Sequence, residues 1–78
     1  MRVKVEVFLR GDVFDPQGKA ILSAIHHLGY EKTTSVQVGK VFFLDIEGDR
    51  STVERQAKEI ADKLLANPVI ENFTVTVL

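Results

Sequence analysis

Two adjacent histidines, His26 and His27, are the residues of this 78-residue sequence whose type best suits metal binding or acid–base chemistry. Neighbouring residues on a helix point about 100° apart, so this pair cannot chelate one metal ion as histidines at i and i+4 can. Both lie in the last turn of a predicted helix, where a positive charge interacts favourably with the helix dipole. We interpret them as helix-end residues, and the sequence, which contains no cysteine, predicts no metal site.

Aspartates could serve as general acids, but their positions have simpler explanations. Asp15 precedes Pro16, an order typical of an N-cap followed by proline at the first helical position. Asp49 belongs to a turn before a second predicted helix. An acylphosphatase-like hydrolase would need an anion-binding cradle after the first strand, and Arg10-Gly11 is its only trace. Asp12, the next residue, puts a negative charge where the anion would bind. The sequence therefore predicts no catalytic residue.

Two glycine–lysine segments, Gln17-Gly18-Lys19 and Gly39-Lys40, resemble fragments of phosphate-binding loops, but neither has the required spacing. Gly18 lies inside a helical turn, where glycine costs about 0.8–1 kcal/mol relative to alanine. Close approach of another backbone or simple tolerance at a helix start would explain it. Lys40 interrupts an apolar strand face. Its stem can pack while its ammonium group reaches water, or it can contact a partner, and the sequence leaves both explanations open.

The charge balance excludes a strongly basic protein. Lys and Arg total 10, Asp and Glu total 11, and the net charge is -1. This argues against a nucleic-acid or anionic membrane surface as partner, since both call for a basic patch. The N-terminal residues lack the apolar run of a signal peptide, and no stretch has the length of a membrane span. We expect a single domain, residues 1–78, in the cytoplasm.

The first half of the sequence predicts a strand and a helix. Apolar residues at alternate positions from Val3 to Leu9 are typical of a strand with one buried face. A helix over residues 16–28 follows, and Gly29 suits the left-handed position after its last turn. Its apolar stripe contains Ile21, Leu22, Ile25 and Leu28.

The middle of the sequence keeps one apolar register through Gly39. Its even positions hold Val36, Val38, Lys40, Phe42, Leu44 and Ile46. A tight hairpin at Gly39-Lys40 would move the later residues to the opposite face of the sheet. We therefore predict one long strand over residues 33–47, kinked or split at Gly39.

The last third predicts a second helix and a final strand. Ser51-Thr52-Val53-Glu54 matches a capping box, and Asn67-Pro68 ends the helix. Its predicted apolar face contains Val53, Ala57, Ile60, Ala61, Leu64 and Leu65, and Phe73, Val75 and Val77 then alternate in a strand. The β-α-β-α-β order predicts an α+β two-layer sandwich, with two helices on one face of a small sheet.

The predicted open face of the sheet carries three large apolar residues, Phe8, Val41 and Phe43. Contiguous exposed apolar patches mark interaction sites, and a domain this small has a thin core. We therefore predict self-association, as a homodimer or a larger assembly, through this open sheet face.

Three short motifs carry a family resemblance. They are Asp15-Pro16-Gln17-Gly18, Val38-Gly39-Lys40 and the run from Leu64 to Glu71, which reads Leu-Leu-Ala-Asn-Pro-Val-Ile-Glu. In these motifs, and in its length and element order, the whole chain resembles PurS, the small-subunit family of phosphoribosylformylglycinamidine synthase. The resemblance implies a non-catalytic assembly subunit of de novo purine synthesis that binds no cofactor of its own.

The resemblance also implies the partners. A PurL-type synthetase subunit, which uses ATP and Mg²⁺, and a PurQ-type glutaminase subunit complete the complex. Together they convert formylglycinamide ribonucleotide, glutamine and ATP to formylglycinamidine ribonucleotide, glutamate, ADP and phosphate. The small subunit bridges the two large ones, supports ammonia transfer between their sites, and forms dimers.

Loops and element ends carry recognition more often than core faces do. On this ground we predict partner contacts at three places: the start of the first helix, the glycine in the middle strand, and the end of the second helix. The residues are Asp15, Pro16, Gln17, Gly18, Gly39, Lys40, Asn67 and Pro68. Capping and turn chemistry already explain Asp15, Pro16, Asn67 and Pro68 without a partner.

A different class of function stays open alongside this one. A small dimeric regulatory module that binds a ligand between protomers would have the same fold. It predicts a melting temperature that rises with ligand, because a ligand that binds only the native state stabilises that state.

Overall fold

Strands with alternating buried residues form one antiparallel sheet. The computed structural model describes residues 1–78 and contains β1 (Arg2–Leu9), α1 (Pro16–His27), β2 (Gly39–Asp45), α2 (Arg50–Ile60), a π-helical turn (Ala61–Leu65) and β3 (Glu71–Val77). β1 is the central strand and pairs antiparallel with both neighbours, in the order β2-β1-β3. The predicted α+β class and the β-α-β-α-β order are confirmed.

The core is built from small side chains. Val3, Val5 and Val7 on β1 are fully buried, and they face Val53 and Ala57 on α2. Alanine at the helix surface lets α2 lie directly on β1 and β3. Burying each valine contributes about 1.5–3 kcal/mol relative to leaving it exposed.

The start of α2 differs from the prediction. Asp49, and not Ser51, is the N-cap: its carboxylate accepts from the backbone N–H of Thr52 at 2.8 Å and from the Ser51 hydroxyl at 3.2 Å. The capping box was therefore wrong, since the carboxylate of Asp49 caps the helix and Ser51 already lies inside its first turn. Donation by the Thr52 N–H, and then by the Thr52 and Ser51 hydroxyls, lowers the pKa of Asp49 from its ordinary 3.8.

The end of this helix widens into a π-helical turn, Ala61–Leu65, closed by a bond from the Ala66 N–H to the Ala61 carbonyl at 2.8 Å. The wider turn shifts the last residues around the axis. Leu64, which the sequence placed on the apolar face, is 78% exposed, whereas Ala66 is buried. The prediction for Leu64 was therefore wrong because it assumed a regular α-helical period.

Helix α1 has the predicted ends. Asp15 caps its first turn, and Pro16 follows at the first position. At the other end Gly29 adopts a φ of 99°, and the N–H groups of Gly29 and Tyr30 bond the carbonyls of His26 and Ile25 at 3.0 and 3.3 Å. This is a Schellman ending, which glycine favours because it has no Cβ.

The position of α1 differs from the two-layer prediction. Only Gly18 of α1 is buried, and the helix does not pack on the sheet as α2 does. The reason is local: the first turn of α1 is fastened to residues 36 and 38, which hold the helix against the chain that precedes β2. We call residues 10–38 the arm. It comprises the loop after β1, helix α1 and the segment 33–38 that leads to β2.

The predicted middle strand is divided at Gly39. Residues from Gly39 to Asp45 pair with β1 as β2, and Val5 faces Phe42 in this register. Residues 33–38 form no strand pairing within the chain. The break therefore falls where we predicted a kink or split. Only the second half of the predicted strand forms a strand in the structure.

Candidate functional site

The predicted contact residues gather at one end of the sheet. Because β1 is antiparallel to both neighbours, its last residues lie beside the first residues of β2 and β3, with Phe8 opposite Gly39 and Leu9 opposite Glu71. A cleft of about 200 Å³ opens there. We call it the polar cleft; it is lined by Val7, Leu9, Asp15, Gln17, Val38, Gly39, Lys40 and Glu71.

Asp15 joins the arm to this end of the sheet. One carboxylate oxygen accepts from the Gly18 N–H at 2.9 Å, and the other accepts from the Val38 N–H at 3.4 Å. The same side chain therefore caps α1 and fixes the residue that precedes Gly39. Pro16 and Gln17, the next two residues, are exposed at the helix start.

Gly18 is the residue at which two segments come closest. A Cβ placed on it would lie 2.6 Å from the Val36 carbonyl oxygen and 2.7 Å from an Asp15 carboxylate oxygen. The first of the two explanations left open by the sequence, close approach of another backbone, is therefore the one observed. Gly18 is itself buried, so its contribution to a surface is to position Gln17.

Gly39 makes room for an aromatic ring. A Cβ on Gly39 would lie 2.3 Å from a ring carbon of Phe8, the residue paired with it across the sheet. The ring covers the glycine on the open face of the sheet, an arrangement that compensates for the missing side chain. Phe8 is consequently half-buried.

Lys40 and Glu71 form an ion pair across the central strand. Val7 faces Lys40 and Leu9 faces Glu71, so both charges lie on the face of the sheet that bears the core. The Lys40 ammonium lies 3.7 Å from a Glu71 carboxylate oxygen, with the lysine side chain 57% exposed and the glutamate 13% exposed. The lysine head is thus available for contact while the glutamate is held inside.

Glu71 is the site residue that the sequence analysis missed. It falls on the same parity as Phe73, Val75 and Val77, so it interrupts an apolar strand face just as Lys40 does. Two opposite charges that each break an apolar face are a recognisable signal for a pair. Parity within each strand could therefore have found it.

Asn67 and Pro68 reach the cleft through Glu71. The Asn67 N–H donates to the second Glu71 carboxylate oxygen at 2.7 Å, and the Asn67 side-chain oxygen accepts from the Val69 N–H at 3.1 Å. Pro68 is exposed beside them and lines an adjoining cavity with Asp62 and Phe73. All three predicted contact regions therefore meet at one end of the molecule.

The opposite face of the sheet is open, as predicted. Val41 is 52% exposed and Phe43 is 51% exposed, and neither α-helix lies over them. The Arg2 guanidinium lies 4.8 Å from the centre of the Phe43 ring, a cation–π contact, and Lys4 pairs with Glu6 at 3.4 Å. Apolar and charged groups of both signs thus share this face.

The chemistry of these groups is that of contact surfaces. The carboxylates of Asp15 and Glu71 each accept backbone N–H bonds and so fix loops. His26 Nε2 lies 2.7 Å from the Thr33 carbonyl oxygen, and His27 Nδ1 lies 2.8 Å from the Ser23 carbonyl oxygen, so each ring is engaged separately. No cluster of three or more histidine or carboxylate side chains is placed to hold a metal ion. None of the helices combines the length and apolarity needed to cross a bilayer.

Comparison with known proteins gives full-length matches. The family model described as "PurS: Phosphoribosylformylglycinamidine (FGAM) synthase" matches residues 2–78. A subunit of that name from Archaeoglobus fulgidus is 41% identical over 76 residues, which cover 96% of this chain and 95% of the relative. The Bacillus subtilis subunit is 42% identical over 72 residues, covering 92% of this chain and 86% of the relative.

Solved structures agree in fold. The structure of B. subtilis PurS superposes with a TM-score of 0.87 at 40% identity, covering 96% of this chain and 94% of that one. A chain in the structure of PurLQS from Thermotoga maritima superposes with a TM-score of 0.90 at 26% identity, covering 99% of this chain and 95% of that one.

Proposed function

This chain belongs to the PurS family of phosphoribosylformylglycinamidine synthase proteins, and from this premise we propose that it is the non-catalytic assembly subunit of such a synthase. The observation that carries the proposal is the full-length match to PurS, which extends to a chain of the T. maritima PurLQS structure. In this role the chain holds a PurL-type synthetase and a PurQ-type glutaminase in one complex.

The complex converts formylglycinamide ribonucleotide, glutamine and ATP to formylglycinamidine ribonucleotide. ATP and Mg²⁺ belong to the synthetase partner, and this chain contributes no cofactor. Ammonia released by the glutaminase has to reach the synthetase without loss to water, which requires the two enzymes to be held in a fixed geometry. A cytoplasmic location is part of this proposal, because the resemblance is to subunits of purine synthesis.

The end of the sheet that carries the polar cleft is the surface we assign to the large subunits. Gln17 and Lys40 project from fixed backbone there, because Asp15 fastens the arm and Glu71 fastens the turn at Asn67. A surface whose backbone is already ordered loses less entropy on binding than a flexible one. The proposed contact residues are Asp15, Pro16, Gln17, Gly39, Lys40, Asn67 and Pro68, with Gly18 supporting them from inside.

The open sheet face is the surface we assign to self-association. Val41 and Phe43 are half-exposed on neighbouring positions of that face, and Phe8 lies beside them over Gly39. Two such faces packed together would remove these apolar groups from water, at roughly 25 cal/mol per Å² of apolar surface. Arg2 and Asp45 on the same face give it both signs of charge, which suits contact with a copy of itself.

The proposal is tested by reconstituting the activity. PurL and PurQ from the same source are mixed with formylglycinamide ribonucleotide, glutamine and ATP, with and without this chain. We expect glutamine-dependent synthesis only when the chain is present and none from the chain alone. Equal glutamine-dependent activity in its absence would overturn the assembly role.

Point substitutions test the contact surface separately. Lys40→Ala and Gln17→Ala should weaken complex formation, measured by titrating the chain in the activity assay, because both side chains are exposed at the polar cleft. Their melting temperatures should stay near that of the unmodified chain, since the Lys40 side chain is largely exposed and Glu71 keeps the bond from the Asn67 N–H when Lys40 is removed. Lys58→Ala is the matched control: Lys58 is 58% exposed and pairs with Glu54 on α2, away from the cleft. Loss of activity with Lys58→Ala, or none with Lys40→Ala, would count against the assigned surface.

A further inference from the structure

The polar cleft holds two opposite charges that are only loosely matched to each other. The Lys40 ammonium lies 3.7 Å from a Glu71 carboxylate oxygen, whereas a charge-assisted N–H···O bond measures about 2.7–2.9 Å. No hydrogen bond within the chain uses this ammonium, and a lysine carries three N–H donors. Lys40 therefore presents all of its donors at the cleft.

Glu71 presents an acceptor that is held in a fixed position. One of its oxygens accepts from the Asn67 N–H at 2.7 Å, and the other, which faces Lys40, accepts no hydrogen bond. The side chain is only 13% exposed, so this carboxylate has lost most of its contact with water. A shielded charge of this kind favours a further group of opposite charge beside it.

The other polar residues of the cleft define what else a bound molecule would meet. Both carboxylate oxygens of Asp15 are already engaged by backbone N–H groups, so this residue closes the wall and offers no free bond. The Gln17 side-chain amide makes no hydrogen bond within the chain and can donate and accept. The volume of about 200 Å³ is below the roughly 300–1,000 Å³ of pockets for drug-sized ligands, which suits a smaller molecule.

The arrangement of charges selects among small molecules. A simple anion at Lys40 would be repelled by the Glu71 carboxylate, and a simple cation at Glu71 would be repelled by the Lys40 ammonium. An α-amino acid carries a carboxylate and an ammonium group on one carbon atom. With the carboxylate at Lys40 and the ammonium at Glu71, four charges form a ring in which each charge has only opposite charges as neighbours.

We propose that the polar cleft binds a free α-amino acid whose side chain ends in a carboxamide or a carboxylate. Lys40 binds the α-carboxylate, Glu71 binds the α-ammonium, and Gln17 contacts the polar end of the side chain. This binding is a property of the chain alone and goes beyond the assembly role. Its consequence for assembly rests on the proposed function: the cleft lies on the surface assigned to the large subunits, so a bound amino acid and a bound subunit change each other's affinity by the same factor.

Isothermal titration calorimetry of the full chain with L-glutamine tests the site. We expect a dissociation constant on the order of millimolar, as suits a small ligand in an open cleft. Two analogues separate the charges of the ligand. Glutaramic acid lacks the ammonium group and 4-aminobutanamide lacks the carboxylate. Each should bind about tenfold or more weakly than L-glutamine, because each loses one charge-assisted contact.

Substitutions in the chain show which residue meets which charge. Lys40→Met keeps the length of the side chain, and Glu71→Gln keeps an oxygen for the Asn67 N–H. Each should weaken L-glutamine binding about tenfold or more. Glu71→Gln should weaken glutaramic acid little further, and Lys40→Met should weaken 4-aminobutanamide little further, because the contact in question is already broken on the side of the ligand.

Lys58→Met is the matched control, because Lys58 forms the other long-stemmed lysine–glutamate pair on α2, at 3.3 Å from Glu54 and 58% exposed, and should bind L-glutamine like the unmodified chain. No saturable heat up to about ten times the expected dissociation constant, equal binding of all three ligands, or an equal loss with Lys58→Met would each overturn the proposal. All of these titrations omit PurL and PurQ, so their outcome and that of the reconstitution assay are decided separately.

Discussion

The two helices carry similar amphipathic patterns and end in different environments. α2 presents valine and alanine to the sheet and is buried along that face, with Val53 and Ala57 fully inaccessible. α1 presents isoleucine and leucine and keeps much of that surface in water, including most of Leu28. An amphipathic stripe therefore predicts a helix with one apolar side, but not which surface covers that side. Small residues let α2 pack closely on the sheet, whereas the bulkier apolar residues of α1 lie on the arm and are not covered by the sheet.

The largest difference between the core under α2 and the arm should be seen in the free energy of unfolding when side-chain atoms are deleted in each. Val5→Ala removes fully buried atoms from the central strand and should lower the free energy of unfolding by about 2–3 kcal/mol, through lost burial and the cavity left behind. Leu28→Ala removes atoms that are largely exposed and should change it by about 0.5 kcal/mol or less. Urea denaturation measures both.

The same pair of substitutions shows whether the chain itself covers α1. Equal costs for Val5→Ala and Leu28→Ala would mean that α1 is buried within its own protomer, contrary to the exposure of Leu28.

A smaller effect should come from the place where the arm is fastened. Gly18→Ala puts a methyl group against the Val36 carbonyl and the Asp15 carboxylate, and should destabilise the chain by about 1–3 kcal/mol. Without this contact alanine would be the better helix residue, by about 1 kcal/mol. Gly11→Ala is the control, because nothing lies within 4 Å of its added Cβ and its φ is not in the left-handed region. A gain in melting temperature for Gly18→Ala would show that Val36 does not approach the helix.

The smallest effect should come from the cap of α2, and it should depend on pH. The folded-state pKa of Asp49 is lowered, so its carboxylate stabilises the fold above the unfolded value of 3.8, and this contribution is lost as the pH falls through the lower folded pKa. Asp49→Ala should therefore melt below the unmodified chain at neutral pH, and the gap should close in acid. Glu59→Ala, the same change of charge on an exposed residue of α2 that caps no helix, is the matched control.

The parts of the fold that depend on neighbouring residues were predictable from the sequence. Asp15-Pro16 marks the start of α1, and Gly29 marks its end, because capping and a positive φ act within a few residues. The alternation in β1 likewise gave its buried face, because parity is a property of the strand itself. The choice of the three contact regions stays a prediction, and their common position at one end of the sheet follows from the strand pairing and from the bond of Asn67 to Glu71.

The parts that depend on distant contacts were not predictable in the same way. Val36 and Val38 decide whether α1 lies on the sheet, because they contact its first turn. They are about twenty residues away from that turn in the sequence. The ion pair of Lys40 with Glu71 joins two strands that flank a third. Predicting it therefore requires the strand order as well as the parity of each residue within its strand. The cap at Asp49 was missed because a Ser-x-x-Glu motif that begins two residues later gave a competing signal.

The π-helical turn at Ala61–Leu65 acts as an insertion absorbed by the helix without a loop. It changes which side chain packs into the core at the end of the helix: the small Ala66 is buried and the larger Leu64 is left at the surface. Removing one residue from this turn would rotate everything after it by about 100°. The turn at Asn67 would then no longer bring its N–H to Glu71, so the length of this helix, to the single residue, sets the alignment between the helical layer and the end of the sheet.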